Sequence, residues 1–419
     1  MRGRRAGRGR PGPVSPRRLP RVLVVVLLLA TLSQISLQLA RPLVSYRLLA
    51  VHASGTAIGL VAAAFAVTPM VLALRMGALA DRGWSVRLLV GGCSVMLLAD
   101  AGLAVGTAPA QLAVGSAALG LGQQAVMIGM QALLAQQRDD LHDASFGWFT
   151  AAISLGQVLG PLLGGLTLTV RDGAGLAATR DGLIVAAGCA AVALAVAVAT
   201  PGRRRAAPQS APPARTSAWP LLRLTGVVPG LLVSLTVLSC TDLLSVYLPV
   251  LGEHLGVGPA AVGALLAIRA GTSMVTRLLT APLLRRFSRA TLLAATAALA
   301  AGCAAAMPFT PSVPVLGLLM VGAGLGLGLG QPLTMTWIVR LVPASARGTA
   351  LALRITGNRL GQVTVPAVAG GLAGLAGAAP VFWLMGALLA ASAVAAGRAG
   401  DALGPVRRPD SAGAPTPGG

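Results

Sequence analysis

The feature that most limits what this chain can fold into is its near-unbroken succession of apolar runs, each long enough to cross a bilayer. A helix needs about 20 apolar residues to span the hydrocarbon core, and such runs recur from residue 21 to residue 398, separated by short Arg-, Pro- or Gly-rich breaks. Only 11% of the 419 residues are charged and 55% are hydrophobic. A soluble domain carries about 25% charged residues, so that class is excluded, and so is a disordered chain. The formal net charge of +22 would ordinarily point to nucleic acid. Here the arginines are scattered between apolar runs instead of being gathered on a water-soluble domain, and no nucleic-acid partner is expected. The chain reads as an all-α polytopic membrane protein whose surroundings are the lipid bilayer.

Cutting at charge, Pro and Gly clusters gives twelve predicted spans, at 21–42, 56–80, 87–108, 110–136, 144–170, 178–200, 224–250, 259–284, 290–308, 314–340, 346–376 and 378–398. Residues 1–20 with Val22–Leu32 imitate a signal peptide, but no small-residue cleavage site follows, and the stretch reads as an uncleaved first helix. All 33 basic residues are arginine. With the N-terminus in the cytoplasm, 24 of them fall in the tails and loops of that side, five lie within spans, and only Arg41, Arg47, Arg171 and Arg180 lie on the far side. That asymmetry fits the positive-inside rule in one orientation and favours an even number of spans. The expected organisation is a basic tail at 1–20, a six-helix bundle at 21–200, a cytoplasmic Arg- and Pro-rich linker at 201–223 that reads as disordered, a second bundle at 224–398 and a disordered tail at 399–419. Both termini are then cytoplasmic. Cys93, Cys189, Cys240 and Cys303 lie singly in different spans and read as packing residues.

The two bundles repeat each other. Gly77-Ala-Leu-Ala-Asp81-Arg82 returns in degraded form at Ala281-Pro-Leu-Leu-Arg285-Arg286, an offset of 204. Gly156-Gln-Val-Leu-Gly160-Pro161-Leu-Leu-Gly164-Gly165 returns as Gly361-Gln-Val-Thr-Val-Pro366-Ala-Val-Ala-Gly370, an offset of 205. Gly156, Gly160 and Gly164 share one helix face, where a second backbone can approach closely, and Pro161 removes a helical hydrogen bond.

These residues resemble the major facilitator superfamily, whose halves are related by an axis along the membrane normal. Gly77, Leu79, Ala80, Asp81 and Arg82 match the first part of its signature, while Trp84, Ser85 and Val86 depart from the second, with Arg87 as a displaced positive charge. Gly156, Gly160, Pro161, Gly164 and Gly165 match every defining position of a motif associated with its proton-coupled drug antiporters. The resemblance implies two pseudo-symmetric six-helix bundles that expose a central cavity to each side in turn. It also implies that Asp81 meets the N-terminus of span eleven near Arg347 and latches the cytoplasmic gate. Simple surface pairing of Asp81 with Arg82, worth about 0–1 kcal/mol, is the alternative.

Charges inside spans are costly and mark pathways or pairs. Asp242 and Arg269 lie at similar depth in spans seven and eight and are expected to meet. Either they form a static lock, or their relative movement switches protonation of Asp242, since desolvation and a nearby cation act on a carboxyl in opposite senses. Asp100 lies at a comparable depth in span three, and Arg354 and Arg359 in span eleven. The resemblance makes Gln34, Gln38, Gln123, Gln124, Met127, Gln131, Tyr247, Gln331, Met335, Trp337, Asn358 and Arg359 candidates for a cavity that holds an amphipathic small molecule.

Two enzyme-like motifs lack their required context. Asp139-Asp140-Leu-His-Asp143 matches a magnesium-diphosphate pattern but has no second acidic cluster, and its carboxylates suit the N-terminus of span five. Gly322-Ala-Gly-Leu-Gly-Leu-Gly-Leu-Gly330 lies within an apolar span with no preceding strand, which leaves helix packing as its reading. No metal, cofactor or nucleotide-binding loop is expected. The sequence reads as a monomeric secondary transporter of the cytoplasmic membrane, most simply a proton-coupled exporter of an amphipathic compound. Proton symport or facilitated import of a nutrient is the alternative reading.

Overall fold

A computed structural model describes residues 21–135, 142–170, 173–200, 218–343 and 346–403, and within these every regular element is helical. The helices are α1 (Arg21–Ala50), α2 (Gly55–Leu79), α3 (Ser85–Val105), α4 (Pro109–Ala135), α5 (His142–Val170), α6 (Leu176–Val198), α7 (Ala218–Leu222), α8 (Val227–Leu255), α9 (Pro259–Leu278), α10 (Thr280–Arg286), α11 (Arg289–Ala306), α12 (Val313–Gly328), α13 (Gly330–Leu341), α14 (Arg347–Ala376) and α15 (Ala379–Leu403). Eleven segments are long and apolar enough to cross a membrane, with α12 and α13 counted together. The twelfth is α14. It fails on composition because one face carries Arg354, Asn358 and Gln362, four residues apart, and the fold turns that face inward. Large apolar side chains such as Leu98, Val114, Leu318 and Leu375 stand exposed on the outside, where lipid replaces water as the favourable surrounding.

The sequence repeat is also a packing repeat. In the first half α1 packs on α5 and α6, α3 on α4 and α6, and α2 on α4; in the second, α8 packs on α14 and α15, α11 on α12 and α15, and α9 on α12. Across the halves α2 packs on α14, α5 on α9 and α1 on α8. Local signals set the ends. Ser54 and Ser288 cap α2 and α11 by accepting from Ala57 and Thr291 backbone N–H groups at 3.2 and 3.1 Å. Between α2 and α3 the chain turns at Gly83, whose φ of 82° suits glycine alone among common residues.

Four expectations change. Span one does not stop at residue 42: α1 runs through Pro42 to Ala50, so Arg41, half-buried, and Arg47, buried, are helix residues and not loop residues. Arg47 is held by the carbonyls of Gly106 (2.6 Å) and Leu176 (3.1 Å) and by the Thr179 hydroxyl (3.2 Å), tying together the ends of three helices. Spans eight and ten are each broken, at Leu279 and Leu329. In the second case Gly324 and Gly328 abut α9, Gly322 and Gly326 abut α11, and Gly330 abuts Val237 of α8. Within the expected linker, 218–222 form a short helix and Arg223 lies 5.6 Å from the Trp219 ring. At the far end α15 runs on to Leu403, into the tail expected from residue 399. Residues 201–217 of that linker, residues 1–20 and 404–419, Asp139 and Asp140 lie outside the described residues.

Candidate functional site

A chain of polar side chains crosses between the halves about midway along the long helices. Asp242 of α8 is its centre. Arg41 Nη1 of α1 donates to Asp242 Oδ1 at 2.5 Å, and Gln362 Nε2 of α14 donates to Oδ2. Arg359, one turn before Gln362, donates from Nη1 to Gln362 Oε1 at 2.9 Å and from Nη2 to Gln124 Oε1 of α4. The network therefore links α1 and α4 of the first half to α8 and α14 of the second, once through an ion pair and once through a charged-to-neutral hydrogen bond. Arg41 also lies 4.8 Å from the Phe65 ring centroid, and beside it a small cavity of about 20 Å³ is lined by Ser45, Phe65, Ser116, Leu119 and Val246.

The expected partnership of Asp242 with Arg269 is not formed. Arg269 of α9 is only 5% exposed, its Nε has no acceptor, and it forms no hydrogen bond with a described residue. Arg41 instead arrives from the other half and occupies the carboxylate. Asp100 stands apart from this network. It is fully buried in α3, accepts from Ser36 Oγ of α1 at 2.7 Å, and has no partner for Oδ1. Arg354 is held within the second half by Gln331 Oε1 (2.6 Å), Gln331 O (3.0 Å) and Thr334 Oγ1 (3.4 Å), and Gln331 in turn donates to Ser234 O.

The glycine motif of α5 proves to have two faces. Gly156 and Gly160 lie against the backbone and Cβ atoms of α1 at Gln34 and Gln38, and Gly164 lies near Leu39. Gly165 and the Pro161 carbonyl instead meet α9 of the other half, where a Cβ on Gly263 would come within 2.4 Å of Pro161 O. The repeat does the same. Gly361 lies against α8, while Pro366 O and Gly370 meet Gly59 of α2, where a Cβ would again come within 2.4 Å. Gly59 and Gly263, separated by the repeat offset of 204, escaped the sequence reading although that offset could have found them. Both seams lie toward the end of the bundle that holds Gly55 and Pro259. Tyr247 closes the same end, fully buried, with its hydroxyl 3.4 Å from Gly55 O.

At the opposite end Asp81, Arg82, Arg87 and Arg347 are all exposed. Asp81 forms no ion pair with Arg82, Arg347 or any other described residue, and Arg87 stacks over Trp84 at 4.6 Å. A Cβ on Gly77 would meet nothing within 4 Å. Of the cavity candidates, Gln124 and Arg359 join the Asp242 network. Gln34, Gln123 and Asn358 are buried beside it in sequence but have no hydrogen-bond partner there, Gln123 on either amide atom and Asn358 on Oδ1. Gln38 and Met127 are half-buried, while Gln131 and Met335 are exposed at the Asp81 end. Trp337 packs against Gly230 within the second half. Arg41 and Gln362 were missed as site residues, the first because the span was cut at Pro42. The second stands inside the repeated Gly-Gln-Val segment and could have been found there.

A sequence profile described as the Major Facilitator Superfamily matches residues 26–252 and 230–416. Solved structures of the same fold include a mutant of the nucleoside transporter NupG, at 14% identity and a TM-score of 0.76, covering 90% of this chain and 99% of that one. A bacterial homolog of the human lysosomal transporter Spinster, inward-facing and occupied, is similar at 16% identity and a TM-score of 0.74 over 91% of this chain and 96% of that one. A D-xylose-proton symporter is similar at 14% identity and a TM-score of 0.71 over 90% and 98%. Curated protein sequences gave no match. With the profile covering both halves and the packing of each half repeating the other, the chain belongs to the Major Facilitator Superfamily of membrane transporters.

Proposed function

We propose that this chain is a proton-coupled secondary transporter of the cytoplasmic membrane that exports an amphipathic small molecule by alternating access. In this reading it works as a monomer with both termini in the cytoplasm, so the Asp81 end faces inward. The observation that carries it is the placement of Asp242, the one carboxylate in the chain of contacts between the halves, held by Arg41 from one side and by Gln362 from its own half. A proton on Asp242 removes its charge and weakens the tie between α1 and α8. The halves then separate at the Gly55 end, and loss of the proton draws them together again. Asp100 is the second carboxyl available to this cycle.

Once the Gly55 end opens, the loop at Asp81 closes on the start of α14 at Arg347, where the helix N-terminus favours a carboxylate. The direction of export rests on the α5 motif. Proton symport of a nutrient inward uses the same residues, and the sign of proton movement distinguishes the two. Inverted vesicles loaded with a pH-sensitive dye, challenged with a panel of amphipathic compounds, report that sign: antiport releases protons from the lumen and symport carries them in. Asp242→Asn abolishes the coupled proton movement in either reading. Full coupled transport in that variant would remove Asp242 from the mechanism.

A further inference from the structure

The charge inventory around Asp242 is unbalanced. Arg41 uses the carboxylate. Arg359 has only the neutral amides of Gln362 and Gln124, and Arg354 has only Gln331 and Thr334, with its Nε unpartnered. Arg269 is 5% exposed with no acceptor for Nε. Arg269 and Arg359 both lie within the electrostatic field of Asp242 and of Arg41. Among the described residues, Arg41, Arg269 and Arg359 thus share one carboxylate, while Arg354 adds a fourth buried guanidinium with no carboxylate of its own. Asp100 does not redress the balance, because its described partner is the Ser36 hydroxyl and no arginine reaches it. Guanidiniums stay protonated in proteins, and a charge buried in a membrane without a counter-charge is costly and marks a pathway or a ligand.

From this surplus we infer that the cargo is an amphipathic organic anion, whose acidic group docks between Arg269, Arg359 and Arg41 while its apolar body lies against the wall formed by Phe65, Leu119 and Val246. The inference rests on the transporter reading and narrows its substrate class. A planar carboxylate or sulfonate suits the forked donors of arginine, and Arg269, the guanidinium with no partner, has the most to gain from it. An anion in this position also competes with Asp242 for Arg41, so cargo and proton act on the same ion pair. A cationic cargo would instead have to approach three arginines across one carboxylate.

The test is binding to the purified full-length protein in detergent, using two probes of matched size and opposite charge, 1-naphthoate and 1-naphthylmethylammonium. Affinity is read by equilibrium dialysis and by ligand-dependent thermal shift. Naphthoate is expected to bind saturably and the ammonium compound is not. Arg269→Gln should weaken naphthoate binding by about tenfold or more, as loss of a charge-assisted hydrogen bond does. Arg269→Lys should recover part of it, and Arg286→Gln, on the exposed α10, should change nothing. If Arg269→Gln does not fold, Arg359→Gln carries the same expectation. Preference for the ammonium probe, saturable binding of neither, or naphthoate affinity indifferent to these arginines would overturn the inference. Anion binding without proton movement in vesicles would sink the coupling reading alone. Proton movement driven by the ammonium probe would sink the anion alone.

Discussion

Replacing Gly59 with alanine tests whether the glycine seams hold one end of the molecule shut. The added Cβ would sit 2.4 Å from both Pro366 O and Gly370 Cα, where ordinary contact is 3.4–4 Å. Both neighbours are backbone atoms, so no rotamer change can relieve the clash, and α2 and α14 must part by about 1 Å. Overpacking of this kind costs about 1–3 kcal/mol. The cost applies only to the conformation in which the seam is closed. In a two-state transporter it therefore shifts the balance by about 5- to 150-fold toward the state open at the Gly55 end. Gly263→Ala, against Pro161 O at 2.4 Å, should do the same from the other seam. Gly92→Ala is the control, since its clash at 2.8 Å is with Gly122 and Val126 inside the first half. It should lower stability without moving the balance. Spin labels at His52 and His254, exposed at one end, and at Arg82 and Arg340, exposed at the other, read both openings in a background lacking the native cysteines. The first distance should lengthen and the second shorten. Unchanged distances in Gly59→Ala, or an equal shift in Gly92→Ala, would refute the assignment of the seam as a gate.

Arg47→Ala removes the guanidinium that ties Gly106, Leu176 and Thr179 to α1; it should lower the unfolding free energy in detergent by about 1.5–3 kcal/mol, whereas exposed Arg286→Ala should leave the melting temperature unchanged. Gln124→Ala and Arg359→Gln should be coupled by about 0.5–3 kcal/mol in a double-mutant cycle on stability, because their contact is one of two side-chain-to-side-chain hydrogen bonds between the halves among the described residues; additive effects would show that the link is not formed in solution. Reporter fusions should place both chain ends on the same, cytoplasmic, face, and opposite faces would break the proposed orientation.

The spans were legible because run length and arginine distribution are local properties, and the repeat was legible because two motifs kept one offset. What stayed hidden depended on partners far away in sequence. Arg41 and Arg47 look like loop residues beside Pro42, yet a membrane helix accepts them when Asp242, 201 residues away, and the Gly106 carbonyl supply acceptors. Depth alone brought Arg269 to the level of Asp242. It carried no information about which way each helix was turned, and that rotation decides which cation takes the carboxylate. Trp337 and Tyr247 were expected at the cavity as amphipathic side chains; Trp337 packs beside Gly230, and the Tyr247 hydroxyl reaches Gly55 O at 3.4 Å. Span eleven was legible as well: α14 is poorer in apolar residues than the other spans, yet its run length places it at 346–376, and its polar face is inward.

The same helix shows how the duplicated fold acquires a single site. At the repeat offset of 205, Gly156, Gln157, Pro161 and Gly165 of α5 correspond to Gly361, Gln362, Pro366 and Gly370 of α14; in both sets the first glycine packs within its own half, and the proline carbonyl and last glycine meet the other half. Close backbone approach is needed at both seams, so residue type is kept at both. The positions of Arg354, Asn358 and Arg359 are occupied in α5 by Phe149, Ile153 and Ser154. At these positions only α14 carries charge, and Gln362 can reach a carboxylate where Gln157 has no described partner. Symmetric seams let the two halves move against each other as alike bodies. Asymmetric charge ensures that what binds between them, proton or cargo, engages one particular set of side chains. A variant that moved the pair into α5, Ser154→Arg with Arg359→Ser, should keep the fold's packing but lose coupled transport. Retained coupling would show that position along the repeat, and not the specific face of α14, is what the chemistry requires.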